Sequence, residues 1–472
     1  MKTIRTTLAV GLALGSIAAQ AAGPLYLWEG GEQPTPYRWD TSKGPIPVYT
    51  DGGPAFSFDF DGETPFITIE RANEITQFAF DQWNQVETST FEAQVVGTIE
   101  SVTGIEDVTG ENATQIYGPQ NGYGFFVNYD ADGSILEDYF GVPKNNVLGI
   151  AFPEWSNEET GEIVEATAVI NGYYVYATDV DGLNQAGVFT HEFGHAINLS
   201  HAQVNGHMAY NSYPGRDIYP GIAGCGVEPY HVWRYNFSGF NPVDPYTVET
   251  MYPAIDNRRE IAEAMSYIST SEDRAAISNL YPTEAYLEGM GSITGVLRLK
   301  DGVTEYSGIN IIARNVNNLM GDAVSTMSGN QTAGLIGPDG RFTIRGLTAG
   351  ESYVLYIEEI FGGGYPTTPR PLISAGEYWN EAEGSNPTTD DVCDATPIVA
   401  EAGVTKTADI TFNGYLDGIQ YTPLIGAFLS DLSKNGKKSA GLVAGITFRW
   451  TEDKDLEILP PTITGSHGPL TR

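Results

Sequence analysis

The sequence predicts an α+β domain followed by an all-β sandwich. Three observations lead there. Helical and strand-like apolar patterns alternate as far as residue 285. Beyond it, only short alternating strands recur between Gly, Asp and Pro turns. The length of 472 residues also exceeds what one hydrophobic core normally fills. The expected organisation is a leader over residues 1–21, a first domain over 22–285, a β-sandwich over 290–415 and a C-terminal segment of unassigned role over 416–472.

The leader follows from Lys2 and Arg5, an apolar run from Leu8 to Ala19, and the small-residue stretch Ala19-Gln20-Ala21. That is the layout of a secretory signal peptide cut after Ala21 or Ala22, so an exported protein is expected. The run is too short for a permanent anchor, and no later segment is long enough to span a bilayer. Residues 36–39 and 46–49 read as an opening strand. Ala72, Ile75, Ala79, Trp83 and Val86 recur at helical spacing and predict a long amphipathic helix facing a sheet. Residues 147–152 and 165–171 read as two further strands.

The densest chemical signal is His191-Glu192-Phe193-Gly194-His195, with a third histidine at His201. The chain has six histidines, so half of them fall within this short stretch. On a helix His191 and His195 share one face, while Phe189, Phe193, Ala196 and Ile197 form the opposite, apolar face. Three imidazoles at this spacing can hold zinc, and Glu192 sits where a general base is needed. His201 requires the backbone to turn sharply after His195. Asn198 lies in that turn, and asparagine is the non-glycine residue most at ease in the left-handed conformation.

Residues 191–201 resemble the zinc-binding consensus of the metzincin metallopeptidases, most closely the matrixin branch, which usually has glycine where this chain has Asn198. The resemblance spans roughly residues 25–285 and implies a twisted mixed sheet with helices, a catalytic Zn2+ on His191, His195 and His201, and Glu192 as catalytic base. It also implies a methionine turn beneath the metal. Thr250-Met251-Tyr252-Pro253 fits it, and residues 271–282 resemble the helix that closes such domains. Ala264-Met265-Ser266-Tyr267 is a rival, but Met251 stands at the better distance from the closing helix. In the family, a strand at the position of residues 147–152 is a sheet edge that pairs with an extended peptide. Protein or peptide substrates are therefore expected.

Composition narrows the remaining choices. Sixty acidic against 24 basic residues give a formal charge of −36, the wrong sign for nucleic acid or anionic membrane surfaces. Three Asp-x-Asp-Gly segments begin at Asp59, Asp130 and Asp179. Asp130, Asp132, Asp179 and Asp181 are the candidate ligands for structural Ca2+, which is common in the resembled family. None completes an EF-hand loop, and each reads equally well as an ordinary acidic turn. No histidine precedes His191, so the second, structural zinc of many matrixins is not expected, and His207 and His231 read as non-ligands. Cys225 and Cys393 are the two cysteines, and sequence leaves their pairing open. Neither lies ahead of the first domain, so cysteine-based latency is not expected. Residues 202–250, rich in Gly, Pro, Tyr and Asn, read as a loop over one side of the cleft.

Past Pro282, residues 293–297, 308–313, 338–344 and 353–357 read as short strands and a turn. Their order resembles the carboxypeptidase regulatory-like, transthyretin-like domain, for which a spacer role and a substrate- or surface-binding role both stand. The expected function is that of a secreted zinc endopeptidase. The alternative is an exported binding or adhesion module with a relic metal site, and the intact Glu192 speaks against it.

Overall fold

The computed structural model describes residues 23–28, 35–56, 67–145, 147–173, 182–206, 244–253, 255, 259–306, 309–329, 331–332, 335–336, 340–358, 377–383, 395–413, 447–450 and 456–459. The expected leader, Asp59, Asp179, Asp181, His207, His231, Cys225, Cys393 and most of the loop over 202–250 lie outside them. Within them the chain is a mixed α+β structure with several sheets and few helices. No described helix is long and apolar enough to cross a membrane.

The N-terminal sheet has five strands: β1 (Ile46–Thr50), β2 (Ala93–Thr98), β3 (Gly124–Asp130), β4 (Gly149–Asn157) and β5 (Glu162–Asn171). They lie in the order β2-β1-β3-β5-β4. All neighbours are parallel except β4, which runs antiparallel to β5 along the sheet edge. Alternation assigns the two faces. Phe125, Val127 and Tyr129 of β3 point into one buried cluster and Phe126 into another. The opening strand is shorter than expected. Residues 46–50 join the sheet as a strand, whereas Thr35–Pro36 pairs with Leu27–Trp28 and, of residues 36–39, Arg38 alone bridges the start of β5 at Glu162. A single 3-10 turn over Thr41–Lys43, capped by the Asp40 carboxylate, separates the two stretches.

Two helices cover the first face. Helix α1 (Ile69–Asn84) starts at Thr68, whose hydroxyl accepts the Arg71 N–H, and buries Ala72, Ile75, Ala79 and Trp83 as their spacing requires. Helix α2 (Leu183–Ala196) packs across it, with Phe80 stacked on Phe193 at 4.2 Å and the Trp83 indole N–H donating to the Thr190 carbonyl at 2.9 Å. Phe189, Phe193, Ala196 and Ile197 are all fully buried. Each large apolar side chain taken from water there contributes about 1.5–3 kcal/mol. Helix α3 (Ser271–Leu280) closes this half.

The C-terminal half opens with β6 (Met290–Leu299), followed by β7 (Asn310–Asn315), β8 (Ala323–Met327), β9 (Arg341–Thr348), β10 (Ser352–Glu358), β11 (Glu377–Tyr378), β12 (Ile398–Val399), β13 (Thr405–Thr407) and β14 (Ile410–Phe412). β9, β13 and β14 pair with β6, while β8 and β10 flank β7, and β11 and β12 pair with β10. Side chains of both sheets fill one core, including Ile293, Ile311, Phe342, Leu355 and Phe412. The two halves touch where Gly346, at φ +87° in a bulge of β9, passes α3: a Cβ there would lie 2.8 Å from that of Ala275.

At the end of β1, fully buried Asp51 accepts the N–H groups of Gly53, Val108 and Tyr129, tying the strand to its neighbours. Burial pushes its carboxyl up to about 7. A raised native pKa means that the folded state holds the proton longer. The associated stability is therefore present below pH 4 and lost as pH rises through about 7. Against Asp51→Asn, which cannot titrate, the stability difference measured by urea unfolding is expected to move against the wild type between pH 4.5 and pH 7.5. A difference independent of pH would refute this assignment.

Candidate metal centre

The centre is built where α2 ends. The Asn198 N–H donates to the His195 carbonyl and the Leu199 N–H to the Gly194 carbonyl (2.9 and 2.8 Å). This is a Schellman closure. Asn198 itself has φ +85° and is the one described non-glycine residue in the left-handed region. Its side chain does more than tolerate the turn. Its Oδ1 accepts the Tyr26 N–H at 2.8 Å, and its Nδ2 donates to the carbonyls of Tyr26 and Tyr37 at 3.0 and 2.8 Å. The Leu25 N–H also donates to the Asn198 carbonyl, and the Ser200 N–H to that of Gly23. The first described residues are thus stitched onto the turn. The Trp39 indole N–H and the Tyr281 hydroxyl satisfy the otherwise open carbonyls of Ala196 and Ile197.

The turn brings the three histidines together. His195 Nε2 lies 3.1 Å from His191 Nε2 and 3.2 Å from His201 Nε2. Two of the rings are oriented from behind. Thr250 O lies 2.7 Å from His191 Nδ1, and Leu199 O lies 2.8 Å from His195 Nδ1. A carbonyl can only accept, so each Nδ1 carries the proton and each Nε2 presents a lone pair to the shared centre. The two lone pairs of His191 and His195 repel at such separation unless a cation lies between them. Imidazoles sharing one tetrahedral zinc at 2.0–2.1 Å would stand about 3.3 Å apart, so the observed spacing fits. These three residues form the one cluster among the described residues that could hold a metal ion.

Electrostatics agree. Burial lowers the His191 pKa to about 4, and burial together with the other two rings holds His195 well below its ordinary value. Both are therefore neutral, as ligands must be. Glu192 is buried beside them, which pushes its carboxyl up to about 8, and its Oε2 has no hydrogen-bond partner among the described residues. The side chain lies against the edge strand: a Cβ on Gly149, the first residue of β4, would come within 2.7 Å of Glu192 Cγ. Only glycine leaves the carboxylate that room.

Met251 lies fully buried under α2, where a Cβ on Gly194 would come within 2.3 Å of its sulfur. Its carbonyl accepts the Ala202 N–H. The rival Met265 is buried in a different cluster. Asp273 holds the turn through the Thr250 N–H at 2.8 Å and the Met251 N–H at 3.2 Å, while Thr270 caps the Asp273 N–H at the start of α3. The Thr270-x-x-Asp273 capping spacing is legible in the sequence, but its second use is not. Gly149 and Asp273 escape sequence reasoning because their partners lie tens of residues away.

Asp130 and Asp132 lie in the turn after β3. The two oxygens of Asp130 accept the N–H groups of Ile135 and Leu136, and Asp132 accepts that of Ser134. Their described contacts are those of a capped turn. No protein-family model matches the chain, and neither a curated protein nor a solved structure does.

Asn198→Gly keeps the left-handed backbone but removes the side-chain amide. It is expected to destabilise the protein by about 1–3 kcal/mol in urea unfolding, because the Tyr26 N–H loses its partner. A loss under about 0.5 kcal/mol would show that the backbone conformation alone accounts for the residue.

Proposed function

We propose that this protein is a zinc-dependent endopeptidase, with a matrixin-like metzincin unit followed by a carboxypeptidase regulatory-like β-sandwich, and that it is exported. The observation that carries the reading is the convergence of three Nε2 atoms at 3.1–3.2 Å with the buried Glu192 carboxylate alongside. The fold supports it with a mixed sheet whose antiparallel edge strand starts beside Glu192. The N-terminal residues support export, having the layout of a signal peptide.

His191, His195 and His201 would hold the ion. Zinc with three neutral imidazoles leaves one position open, acidifies a water there and polarises a carbonyl. The chain's own residues do the rest. Glu192 takes a proton from the attacking water and passes it to the leaving amine. The edge of β4 offers main-chain groups to an extended peptide, which places a scissile bond near the centre.

Glu192→Gln is expected to keep the metal and lose most turnover, a factor of about 10²–10⁴. Gly149→Ala, which crowds Glu192, is expected to lower kcat while leaving metal content unchanged. Both variants and the wild type would be compared on a peptide library with and without a zinc chelator, and metal content measured in parallel. Near-normal cleavage by zinc-loaded Glu192→Gln would sink the reading, and so would a folded, zinc-loaded wild type that cleaves nothing.

A further inference from the structure

The segment after His201 is gripped from both sides. On one side Glu249, fully buried, accepts the N–H groups of Val204, Asn205 and Gly206. On the other side stands β7 of the C-terminal half. Asn310 Nδ2 donates to the Gln203 carbonyl at 2.7 Å. Arg314, 2 % exposed, donates to the Val204 carbonyl at 3.0 Å and to Asn205 Oδ1 at 2.9 Å. It also donates to the Tyr356 hydroxyl at 3.1 Å and to the Leu319 carbonyl, and its guanidinium lies 5.9 Å from the centre of the Tyr356 ring. The Val204 side chain is buried against Ile312, Val354 and Tyr356, on the sheet face opposite the shared core.

A mere spacer has no reason to bury a guanidinium on main-chain groups of another unit. Burying that charge is costly unless its donors are satisfied, and here the partners are the residues three and four positions beyond His201. The same segment reaches the metal centre directly, because the Ala202 N–H donates to the Met251 carbonyl at 2.8 Å. Glu249 and Arg314 thus hold a short bent segment from its two sides, with His201 at its start.

We infer that the C-terminal β unit is part of the metal centre: Arg314 and Asn310 are positioning residues that fix His201 for the ion. The inference rests on His191, His195 and His201 holding a metal. Binding then requires less ordering of His201, because that cost is met when the two halves fold together.

The test uses Co2+ as a visible probe of ligand geometry, on the full chain. Affinity is read by competition with a chromophoric chelator and geometry by the absorption band, beside urea unfolding. Arg314→Met and Asn310→Ala are expected to weaken Co2+ binding by about 10–100-fold, as loss of groups that orient ligands commonly does, and to alter the band. Arg314→Lys keeps the charge but not the fork, so it is expected to fall between Arg314→Met and the wild type. Ser271→Ala removes a different hydrogen bond across the same interface, from Ser271 Oγ to the Gly321 carbonyl at 2.7 Å. It is expected to lower stability alone. Equal affinity and an unchanged band in Asn310→Ala and Arg314→Lys, with stability reduced as in Ser271→Ala, would overturn the inference and leave the metal site standing. Should Arg314→Met not fold, those two variants decide. A folded wild type that binds no Co2+ would instead remove the metal site itself, and the inference with it.

Discussion

Everything at the centre depends on one backbone reversal, the left-handed turn at Asn198. A straight helix can present His191 and His195 together but carries the following residues away from them. The Schellman closure stops the helix one residue past His195 and sends the chain back, so that His201 Nε2 arrives 3.2 Å from His195 Nε2. Glycine would make that turn with less strain. Asparagine accepts the left-handed backbone and in exchange ties the N-terminal residues onto it through its amide.

The second constraint is dryness. His195, His201, Glu192, Glu249 and Asp273 are buried and His191 is partly buried, and burial is the largest influence on each of the five groups for which a shift is resolved. In a low-dielectric pocket each polar group needs a defined partner. Asp273 finds the main-chain N–H groups of Thr250 and Met251, Glu249 finds three in the segment after His201, and His191 and His195 lean on carbonyls. Glu192 Oε2 is left open, at the place where a reactive proton would be handled.

What the sequence disclosed was local. The helical face of His191 and His195, the buried face of Phe189 and Phe193, and the left-handed Asn198 all follow from rules operating within one or two turns of chain, and the structure has each of them. Strand positions were found, with ends displaced: residues 147–152 became Gly149–Asn157, and 165–171 became Glu162–Asn171. The opening strand was overextended because nothing in residues 36–39 announces the 3-10 turn that follows. Gly149, Glu249, Asn310 and Arg314 were not legible at all. Their meaning lies in contacts across 40 to more than 100 residues, and a glycine or an arginine in isolation carries no mark of such a partner.

The stitching of residues 23–26 onto the turn bears on when the centre comes into being. The turn that carries His201 is framed by Tyr26 and Tyr37 at Asn198, Tyr281 at Ile197, Met251 at Ala202 and Arg314 at Val204, so the three histidines close together only once these distant segments are in place. Bringing such distant residues together is slow, because loop closure must precede the contacts that reward it. A nascent chain therefore carries His191 and His195 without a positioned third histidine. Assembly order by itself keeps the three-histidine cluster from forming until the distant segments that frame it are in place.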